Sequence, residues 1–412
     1  MAPAEATRED GILDEIALLA SSPSRIRQNN IAAALQALFR HGQLSRADLA
    51  REMRLNRSSS GNIITELLAL GLVRETENDN PKDSFHARAG RPGILLELNP
   101  DALCFLGAEI GVEHISTVQI DLAGNVVSSS VEPFDGFSVG VDEAIDRAVE
   151  QAFRDLPAGA RDRCAGFGLS SPSQMSGDGV VRVAPLLGWR DVNPAERMRA
   201  VLPAGILVMA ENDANAFAIG ATYRMRSAPS GVVLFLVIES GVGGGIVIDG
   251  KLFRGSHGLA GEIGHLRAPG GDGLMVEQSI GLQSVLAEYR ALTGRADARL
   301  DDFLLEVRDR APGPVAIADG WARVLAFALV QASRVIDPGR IVLGGALAAL
   351  YPLVEARVAA HIKAGQEETF PTLAITLDAQ PAAGSAFGAA CMVHQLYLSQ
   401  SERTFGSRSA AE

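Results

Sequence analysis

Apolar residues near the start of the chain recur three and four positions apart, which is the spacing of an amphipathic helix. The stretch IRQNNIAAALQALFRHG forms one such run, and Gly42 ends it. Two shorter runs follow in QLSRADLAREMRLNRSSSGNIITELLALGLVRE, with a tight turn predicted at RLN. Ser45 is a good N-cap for the first of them. Asn56 or Ser58 caps the second, which Gly71 ends.

Two helices joined by a short turn behind a supporting helix predict a helix-turn-helix. GLVRETENDNPKDSFHARAGRPGILLELNP then predicts strand, polar loop and strand, a wing whose RAGRP tip can lie in a minor groove. Hydroxyls, amides and Arg at a helix start contact bases and phosphates in such domains; the alternative is a polar face that is only solvated. The candidate DNA-binding residues are Ser45, Arg46, Asn56, Arg57, Ser58, Ser59, Ser60, Asn62, Arg88 and Arg91.

The rest of the chain, from CFLGAEIGVEHISTVQIDLAGNVV onward, alternates strand and helix patterns and therefore predicts an α/β fold. DEAIDRAVEQAF predicts a helix, and GILVMAENDANAFAIGATY predicts a strand that runs into a helix. GVVLFLVIESGVGGGIVIDGKLF predicts two apolar strands around SGVGGG, with DG closing the next hairpin. The longest obvious apolar run, VVLFLVI, is far shorter than a membrane span and predicts a buried strand.

The length of 412 residues predicts two or three structural units. Three widely spaced cysteines form no metal or disulfide pattern, which favours a reducing compartment. The N-terminal stretch lacks the features of a signal peptide. These observations predict a soluble, cytoplasmic protein that is not associated with a membrane.

The net charge of −12 argues against a nucleic-acid partner when the chain is taken as a whole. Residues 21–98 nevertheless hold eleven Lys and Arg against eight Asp and Glu, so this part carries +3 and the remainder −15. Residues 25–57 hold seven Arg against two acids. The basic charge is concentrated where the helix-turn-helix is predicted, which favours DNA binding there.

Two short stretches carry candidate binding chemistry. AENDANAFAIG places Glu211, Asn212 and Asp213 side by side at the start of a helix, which suits a polyhydroxylated ligand. A carboxylate in that position can also accept a proton from a hydroxyl. In SGVGGG the backbone N–H groups can face a phosphate, although a tight hairpin alone also needs glycine. The candidate phosphate-loop residues are Ser240, Gly241, Gly243, Gly244 and Gly245.

The order of these stretches resembles the ROK family of sugar-responsive repressors and sugar kinases, from about residue 25 to 394. The matching stretches are SRADLAREMRLNRSS, AGRP, APLLGW, ENDANAFAIG, SGVGGGIVIDG, GEIGHL, IDPGRIVLGG and GSAFGAA. The resemblance implies an actin/hexokinase-like, two-lobed domain of the duplicated ribonuclease H-like type. A winged helix-turn-helix in front of it marks the regulator branch of the family.

Site roles follow from the resemblance, motif by motif. Asn212 and Asp213 would hold sugar hydroxyls, and Asp213 matches the catalytic base of the family's kinases. Glu262 and His265 of GEIGH would bind further hydroxyls, the alternative being a surface pair, and Glu277 would complete the pocket.

The chain departs from the family pattern in two places. Kinases of the family carry an Asp-x-Gly-Gly-Thr turn for ATP phosphates, whereas this chain has EIGVEH, in which Val112 replaces a glycine and Glu113 would repel a polyanion. We therefore expect a vestigial phosphate loop, no catalytic residue and a sugar-sensing Asp213. The family's zinc loop is replaced by LRAPGGDGLMVE, which has no cysteine, so we expect no metal and no other cofactor.

The sequence thus predicts a flexible extension over 1–24, a winged helix-turn-helix over 25–98 and a sugar-binding, oligomerising domain over 99–412. The expected function is a sugar-responsive transcriptional regulator, a repressor of carbohydrate metabolism or transport genes. Its expected partners are double-stranded operator DNA, a small sugar or sugar derivative, and further copies in a homodimer or homotetramer. One alternative is an active ATP-dependent sugar kinase that carries a DNA-binding domain. Another is a DNA-bound regulator with a vestigial pocket that a protein partner controls.

Overall fold

A computed structural model of the chain forms two compact units. The first comprises residues 1–104, 121–125 and 394–412, and the second comprises 105–120 and 126–393. The structure describes residues 23–76, 94–154, 156–157, 159–177, 179–225, 230–270, 273–367, 369–378 and 383–399. Most of the predicted extension lies outside these ranges, and the predicted boundary at residue 98 stays a prediction.

The first unit begins with three helices and a small antiparallel sheet. These elements are α1 (Pro23–His41), β1 (Gln43–Ser45), α2 (Arg46–Glu52), α3 (Arg57–Ala69), β2 (Val73–Thr76) and β3 (Leu95–Leu98), with strand order β1-β3-β2. The helices lie where the apolar pattern predicts them, because their apolar faces are buried against one another, as at Leu35, Leu49 and Leu67. Strand β1 was not predicted, since it contributes only one buried apolar residue, Leu44.

Polar caps and left-handed residues fix the helix ends of this unit. Ser45 accepts a hydrogen bond from the Asp48 N–H at 3.1 Å, and Asn56 accepts one from the Ser59 N–H at 2.8 Å. Gly71 follows α3 with a φ of +68°, as predicted. Arg54, in the turn between α2 and α3, also has a positive φ of 55°, which a side chain rarely adopts.

The end of the chain completes the first unit. Helix α12 (Gly384–Ser399) belongs to this unit from His394 onward. His394 is fully buried, its Nε2 donates to the Leu122 carbonyl at 2.9 Å, and its ring lies 5.4 Å from that of Phe39. Burial lowers the pKa of His394 to about 4, so the ring stays neutral.

The second unit is built around two five-stranded sheets that share one topology. The first, in order β11-β7-β4-β5-β6, contains β4 (Cys104–Ile110), β5 (His114–Asp121), β6 (Val126–Pro133), β7 (Cys164–Ser171) and β11 (Leu207–Asn212). The second, in order β16-β15-β12-β13-β14, contains β12 (Val232–Ile238), β13 (Val242–Ile248), β14 (Lys251–Phe253), β15 (Arg340–Gly344) and β16 (Ile375–Leu377). Each sheet thus places three sequential strands at one side and two later strands at the other, as a duplicated two-lobed α/β domain requires.

Helices and one small sheet surround these two sheets. The helices are α4 (Val141–Arg154), α5 (Pro194–Val201), α6 (Asp213–Arg224), α7 (Val276–Ile280), α8 (Leu282–Thr293), α9 (Leu300–Arg308), α10 (Pro312–Ile336) and α11 (Tyr351–Gly365). The small sheet, in order β10-β9-β8, holds β8 (Gln174–Met175), β9 (Val181–Ala184) and β10 (Trp189–Val192).

Helix α10 corrects one expectation from the sequence. It is long and apolar enough to cross a membrane by length and composition, although no such segment was predicted. In its most apolar 18-residue stretch, 61% is buried, and Trp321 and Leu329 lie in the core of the second unit. These are properties of a core helix. Its length is therefore weak evidence for a membrane span.

Candidate functional site

A cavity of about 130 Å³ opens in the second unit, where the carboxyl end of β11 meets the start of α6 and the β12–β13 hairpin. All five residues predicted to bind sugar line it. They are Asn212, Asp213, Glu262, His265 and Glu277. The loop of Glu277, although it lacks the family's cysteines, still brings this carboxylate to the cavity.

Asn212 and Asp213 are fixed by the way α6 begins. Asn212 is the N-cap, and its Oδ1 accepts a hydrogen bond from the Asn215 N–H at 3.0 Å. Its Nδ2 donates to the Ser173 carbonyl and to Asp213 Oδ1, both at 2.9 Å. Asn212 therefore positions Asp213 and has only acceptor capacity left for a ligand.

Asp213 is buried with an elevated pKa. Burial raises the pKa of its carboxyl to about 6, against the hydrogen bond from the Ala214 N–H, which lowers it, while the nearby charge of Glu262 raises it further. Near pH 7.5 the group is mainly ionised and can accept a hydrogen bond from a hydroxyl. A carboxyl with this pKa could also serve as a general base.

His265 lies between the two glutamates that line the cavity. Its Nδ1 lies 2.9 Å from Glu262 Oε2, and its Nε2 lies 3.5 Å from Glu277 Oε1. Burial raises the pKa of Glu262, whereas His265 and a hydrogen bond from Gln174 lower it. The three side chains thus lie together at the cavity and are partly exposed to solvent, and their role as sugar ligands stays a prediction.

Glu211 has a structural role instead of a contact with the cavity. Its carboxylate is paired with Arg254 and accepts hydrogen bonds from the Asn212 N–H at 3.0 Å and from Asn215 Nδ2 at 3.1 Å. It is buried and does not line the cavity. Of the carboxylates in AENDANAFAIG, only Asp213 therefore faces a ligand.

Asn215 is a candidate binding residue that the sequence analysis missed. It lines the cavity, only 5% of it is exposed, and its Oδ1 has no hydrogen-bond partner among the described residues. The orientation of the amide is settled by Glu211, since the carboxylate accepts and must receive the NH₂ end. Asn215 is the second Asn of ENDAN, so its position beside Asp213 could have indicated this role. That its Oδ1 is left available follows from the contact of its Nδ2 with Glu211, which only the structure shows.

A second, smaller cavity of about 20 Å³ adjoins the first and shares Asp213 with it. It is acidic, being also lined by Glu109, Glu113 and Glu239. Burial and the charges of Glu239 and Asp213 raise the pKa of Glu109 well above its usual range. Burial, more than the charges of Glu113 and Asp213, raises the pKa of Glu239 to about 7.

Glu113 makes direct contact with the predicted phosphate loop. Its Oε1 accepts a hydrogen bond from the Ser240 hydroxyl at 2.8 Å and another from Gln283. Ser240 and Gly241 form the turn between β12 and β13, where the Glu239 N–H donates to the Gly241 carbonyl at 2.9 Å. A carboxylate is thus bonded to the loop that would face ATP phosphates.

The remaining glycines of the predicted loop, Gly243, Gly244 and Gly245, lie within β13 and have a packing role. A Cβ on Gly244 would stand 2.4 Å from the Gly261 carbonyl oxygen, and one on Gly245 would stand 2.7 Å from that of Ala214. Glycine here lets α6 and the loop of Glu262 approach the strand. A vestigial phosphate-binding role for them stays a prediction.

The predicted DNA-binding residues of the first unit are placed as follows. Five of them are exposed, namely Arg46, Asn56, Arg57, Ser58 and Asn62, while Ser45 and Ser59 are partly buried. Arg46 pairs with Glu75 at 2.6 Å, and the Ser45 hydroxyl bonds Asp48. Ser60 is buried at 3% exposure with its hydroxyl on the Arg57 carbonyl, so it faces the domain core and its inclusion was wrong. Arg88 and Arg91 lie outside the described residues.

Metal ligands do not cluster in the described parts of the chain. There, no group of three or more His, Cys, Asp and Glu side chains is arranged to hold a metal ion. The three cysteines are buried, and none of them forms a disulfide bond. The expectation of a metal-free protein remains a prediction, which elemental analysis of the purified chain can check.

Comparison with known proteins agrees with this geometry. The ROK family model matches residues 105–396. The chain is 28% identical over 279 residues to a xylose repressor of Caldicellulosiruptor bescii, a match that covers 65% of either protein. The chain thus spans about two thirds of the length of that curated relative.

Solved structures establish the fold. A ROK family transcriptional regulator, a homologue of the E. coli MLC protein, matches with a TM-score of 0.71 at 20% identity, over 91% of this chain and 97% of the other. A ROK family glucokinase from Streptomyces griseus, solved with glucose and AMPPNP, matches with a TM-score of 0.61 at 22% identity, over 70% and 98%. The match with the regulator extends over most of the chain, including its N-terminal part.

Proposed function

This chain belongs to the ROK family, and from that premise we propose that it is a sugar-responsive transcriptional repressor of carbohydrate metabolism or transport genes. One observation carries the proposal: a single chain holds a carboxylate-lined cavity and an N-terminal three-helix unit whose α3 starts with exposed Arg57 and Asn56. The similarity to a xylose repressor supports it.

The N-terminal unit would act as a winged helix-turn-helix over residues 25–98. Helix α3 follows α2 after a four-residue turn and would enter the major groove with its exposed start. The excess of Arg over residues 25–57 would attract phosphates in an otherwise acidic protein. Such domains bind palindromic sites as dimers, so we propose a homodimer or homotetramer formed by residues 99–412.

The cavity would bind the sugar through charged acceptors. Asp213, Glu262 and Glu277 accept hydrogen bonds from hydroxyls, and converging acceptors reject ligands that lack those hydroxyls. Sugar binding would favour one arrangement of the two lobes and so alter operator affinity. We also propose a cytoplasmic location, where DNA is available, and no resident metal.

The proposal can be tested with operator DNA selected from random duplexes by the purified full chain. Fluorescence anisotropy would follow the complex during titration with D-xylose and with D-glucose. One of these sugars should change operator affinity. In Asp213→Asn the required sugar concentration should rise about ten- to a hundredfold, because a hydrogen bond to a charged group is lost.

Operator affinity without sugar should be unchanged in this variant, which serves as the internal control. If the same sugar concentration changes the operator affinity of the variant and of the parent, the sugar does not act through this cavity. If no sugar changes operator affinity, the result would favour the alternative of a regulator with a vestigial pocket that a protein partner controls.

A kinase is the second candidate, and two observations favour it. Asp213, at the wall of the cavity, has a pKa of about 6, and the domain shares its fold with a glucokinase. The contact between Glu113 and Ser240 opposes it, since phosphoryl transfer needs charge neutralisation where a carboxylate now lies.

A further inference from the structure

The cavity assigned to the sugar carries unbalanced negative charge. Asp213, Glu262 and Glu277 all line it. The smaller cavity, which Asp213 also lines, adds the carboxyl groups of Glu109, Glu113 and Glu239. Carboxyl groups therefore line both the proposed sugar position and the cavity that adjoins it.

Positive charge near the ligand is scarce. Among the described residues that line either cavity, only His265 and His114 can become cationic. His265 already lies between two glutamates, and burial lowers the pKa of His114, which favours its neutral form. Arg254 is paired with Glu211 and lines neither cavity.

Asn215 adds an observation about hydrogen bonding at the cavity wall. Its side chain is 95% buried, and its Oδ1 is an acceptor that has no partner among the described residues. A hydroxyl or an ammonium group can donate to this oxygen, whereas an ionised phosphate or carboxylate cannot. Buried acceptors that lack a donor are costly, so this site selects for donors.

We propose that the effector is a polyhydroxylated molecule without negative charge, either neutral or cationic, and that the cavity rejects sugar phosphates and sugar acids. The inference rests on the proposed function, which assigns the cavity to a sugar. Its physical basis is the repulsion of like charges in a partly desolvated site. Burial leaves Asp213 with a pKa of about 6, so it still bears charge near pH 8.

Isothermal titration calorimetry on the full chain at pH 8 would test the inference with matched probes. D-glucose would be compared with D-glucosamine, D-glucose 6-phosphate and D-glucuronate. D-xylose would also be compared with D-glucuronate, which adds a carboxylate to the same ring. We expect each anion to bind at least about a hundredfold more weakly than its neutral parent. The amino sugar should bind as tightly as D-glucose or more tightly.

A charge-neutralising variant gives a measurement that does not depend on absolute affinity. In Glu277→Gln, the ratio of anion to neutral-sugar dissociation constants should fall by about tenfold, since one repulsive charge is gone. Glu150→Gln, at an exposed position on α4 that lines neither cavity, should leave this ratio unchanged.

Two results would overturn the inference. If an anionic probe binds within threefold of its neutral parent, or more tightly, the carboxylates do not select by charge and the proposed function stands without this refinement. If no probe of either kind binds, the assignment of the cavity to a sugar fails, and the inference fails with it.

Discussion

Asn215 combines burial with an unsatisfied acceptor, and native proteins leave few such atoms without a purpose. We predict that Asn215→Ala weakens sugar binding by about three- to thirtyfold, because a hydrogen bond to the ligand is lost. Thermal-shift titration or calorimetry would measure the change.

Thr222 is the matched control on the same helix. Its Oγ1 is also buried and has no hydrogen-bond partner among the described residues, but the residue does not line the cavity. Thr222→Val should leave sugar affinity unaltered. Equal affinity in Asn215→Ala and the parent would remove Asn215 from the binding site.

Glu239 gives a pH-dependent prediction at the same scale. Burial raises its pKa from 4.5 to about 7, so the folded chain holds this proton more firmly than the unfolded chain. Its contribution therefore lowers the free energy of unfolding as pH rises from about 4.5 to about 7. Glu239→Gln keeps an acceptor for the Ala346 N–H and removes the charge, so it should stabilise the protein at pH 8 by about 1–3 kcal/mol.

Urea unfolding at pH 5.5 and pH 8 would measure this effect. The gain should be large at pH 8 and roughly half as large or less at pH 5.5, since the effect accumulates between the two pKa values. The exposed-site variant Glu150→Gln should behave as the parent at both pH values. A loss of stability at pH 8 would mean that the ionised form of Glu239 has a favourable partner.

At the scale of elements, β13 and α6 pack closely together beside the cavity that we assign to a sugar. A Cβ on Gly245 would stand 2.7 Å from both the Ala214 carbonyl oxygen and the Ala218 Cβ. Gly245→Ala should therefore destabilise the protein by about 1–3 kcal/mol and also weaken sugar binding, since the start of α6 must move. Gly320→Ala is the control.

Gly320 lies inside α10, and no atom lies within 4 Å of the position that a Cβ would take there. Alanine at this position should therefore stabilise the helix by up to about 1 kcal/mol. Chemical denaturation would compare the two variants. If Gly245→Ala leaves the free energy of unfolding unchanged, β13 and α6 can move apart without loss of stability, and this prediction is wrong.

Helix α3 carries the prediction for DNA. Arg57→Ala should weaken operator binding by about 1–3 kcal/mol if the side chain contacts a base, or mainly reduce the salt dependence if it contacts a phosphate. Arg308→Ala removes the same charge from the exposed surface of α9 in the second unit and controls for net charge. Unchanged operator affinity across a range of salt in Arg57→Ala would exclude α3 as the DNA-reading helix.

Long elements were predictable from the sequence, and short ones were not. The run VVLFLVI predicted β12, and the ENDAN stretch with the residues before it predicted β11 and the start of α6. A pattern that extends over many residues is a stronger signal than the preference of a single residue. Strands such as β1 and β8 span two or three residues and leave too little pattern. The burial of Ser60 and the contact of His394 with Phe39 depend on tertiary packing, which composition and spacing do not contain.

For the whole molecule, the decisive question is whether it transfers phosphate. We predict no ATP-dependent phosphorylation of D-glucose or D-xylose above background, because Glu113 is bonded to Ser240 beside the carboxyl groups of Glu109 and Glu239. A coupled assay with the full chain would measure this. Turnover near about 1 s⁻¹, the low end for kinases, would restore Asp213 to the role of general base.

Because His394 belongs to the first unit, the folding of this unit depends on a segment far from its helices in the sequence. A chimaera joined after residue 98 would separate Phe39 from the buried ring that covers it, and would remove the Gln36 contact with the Leu398 carbonyl at 3.5 Å. A chimaera that keeps these contacts would carry the N-terminal helices together with α12 from His394 onward.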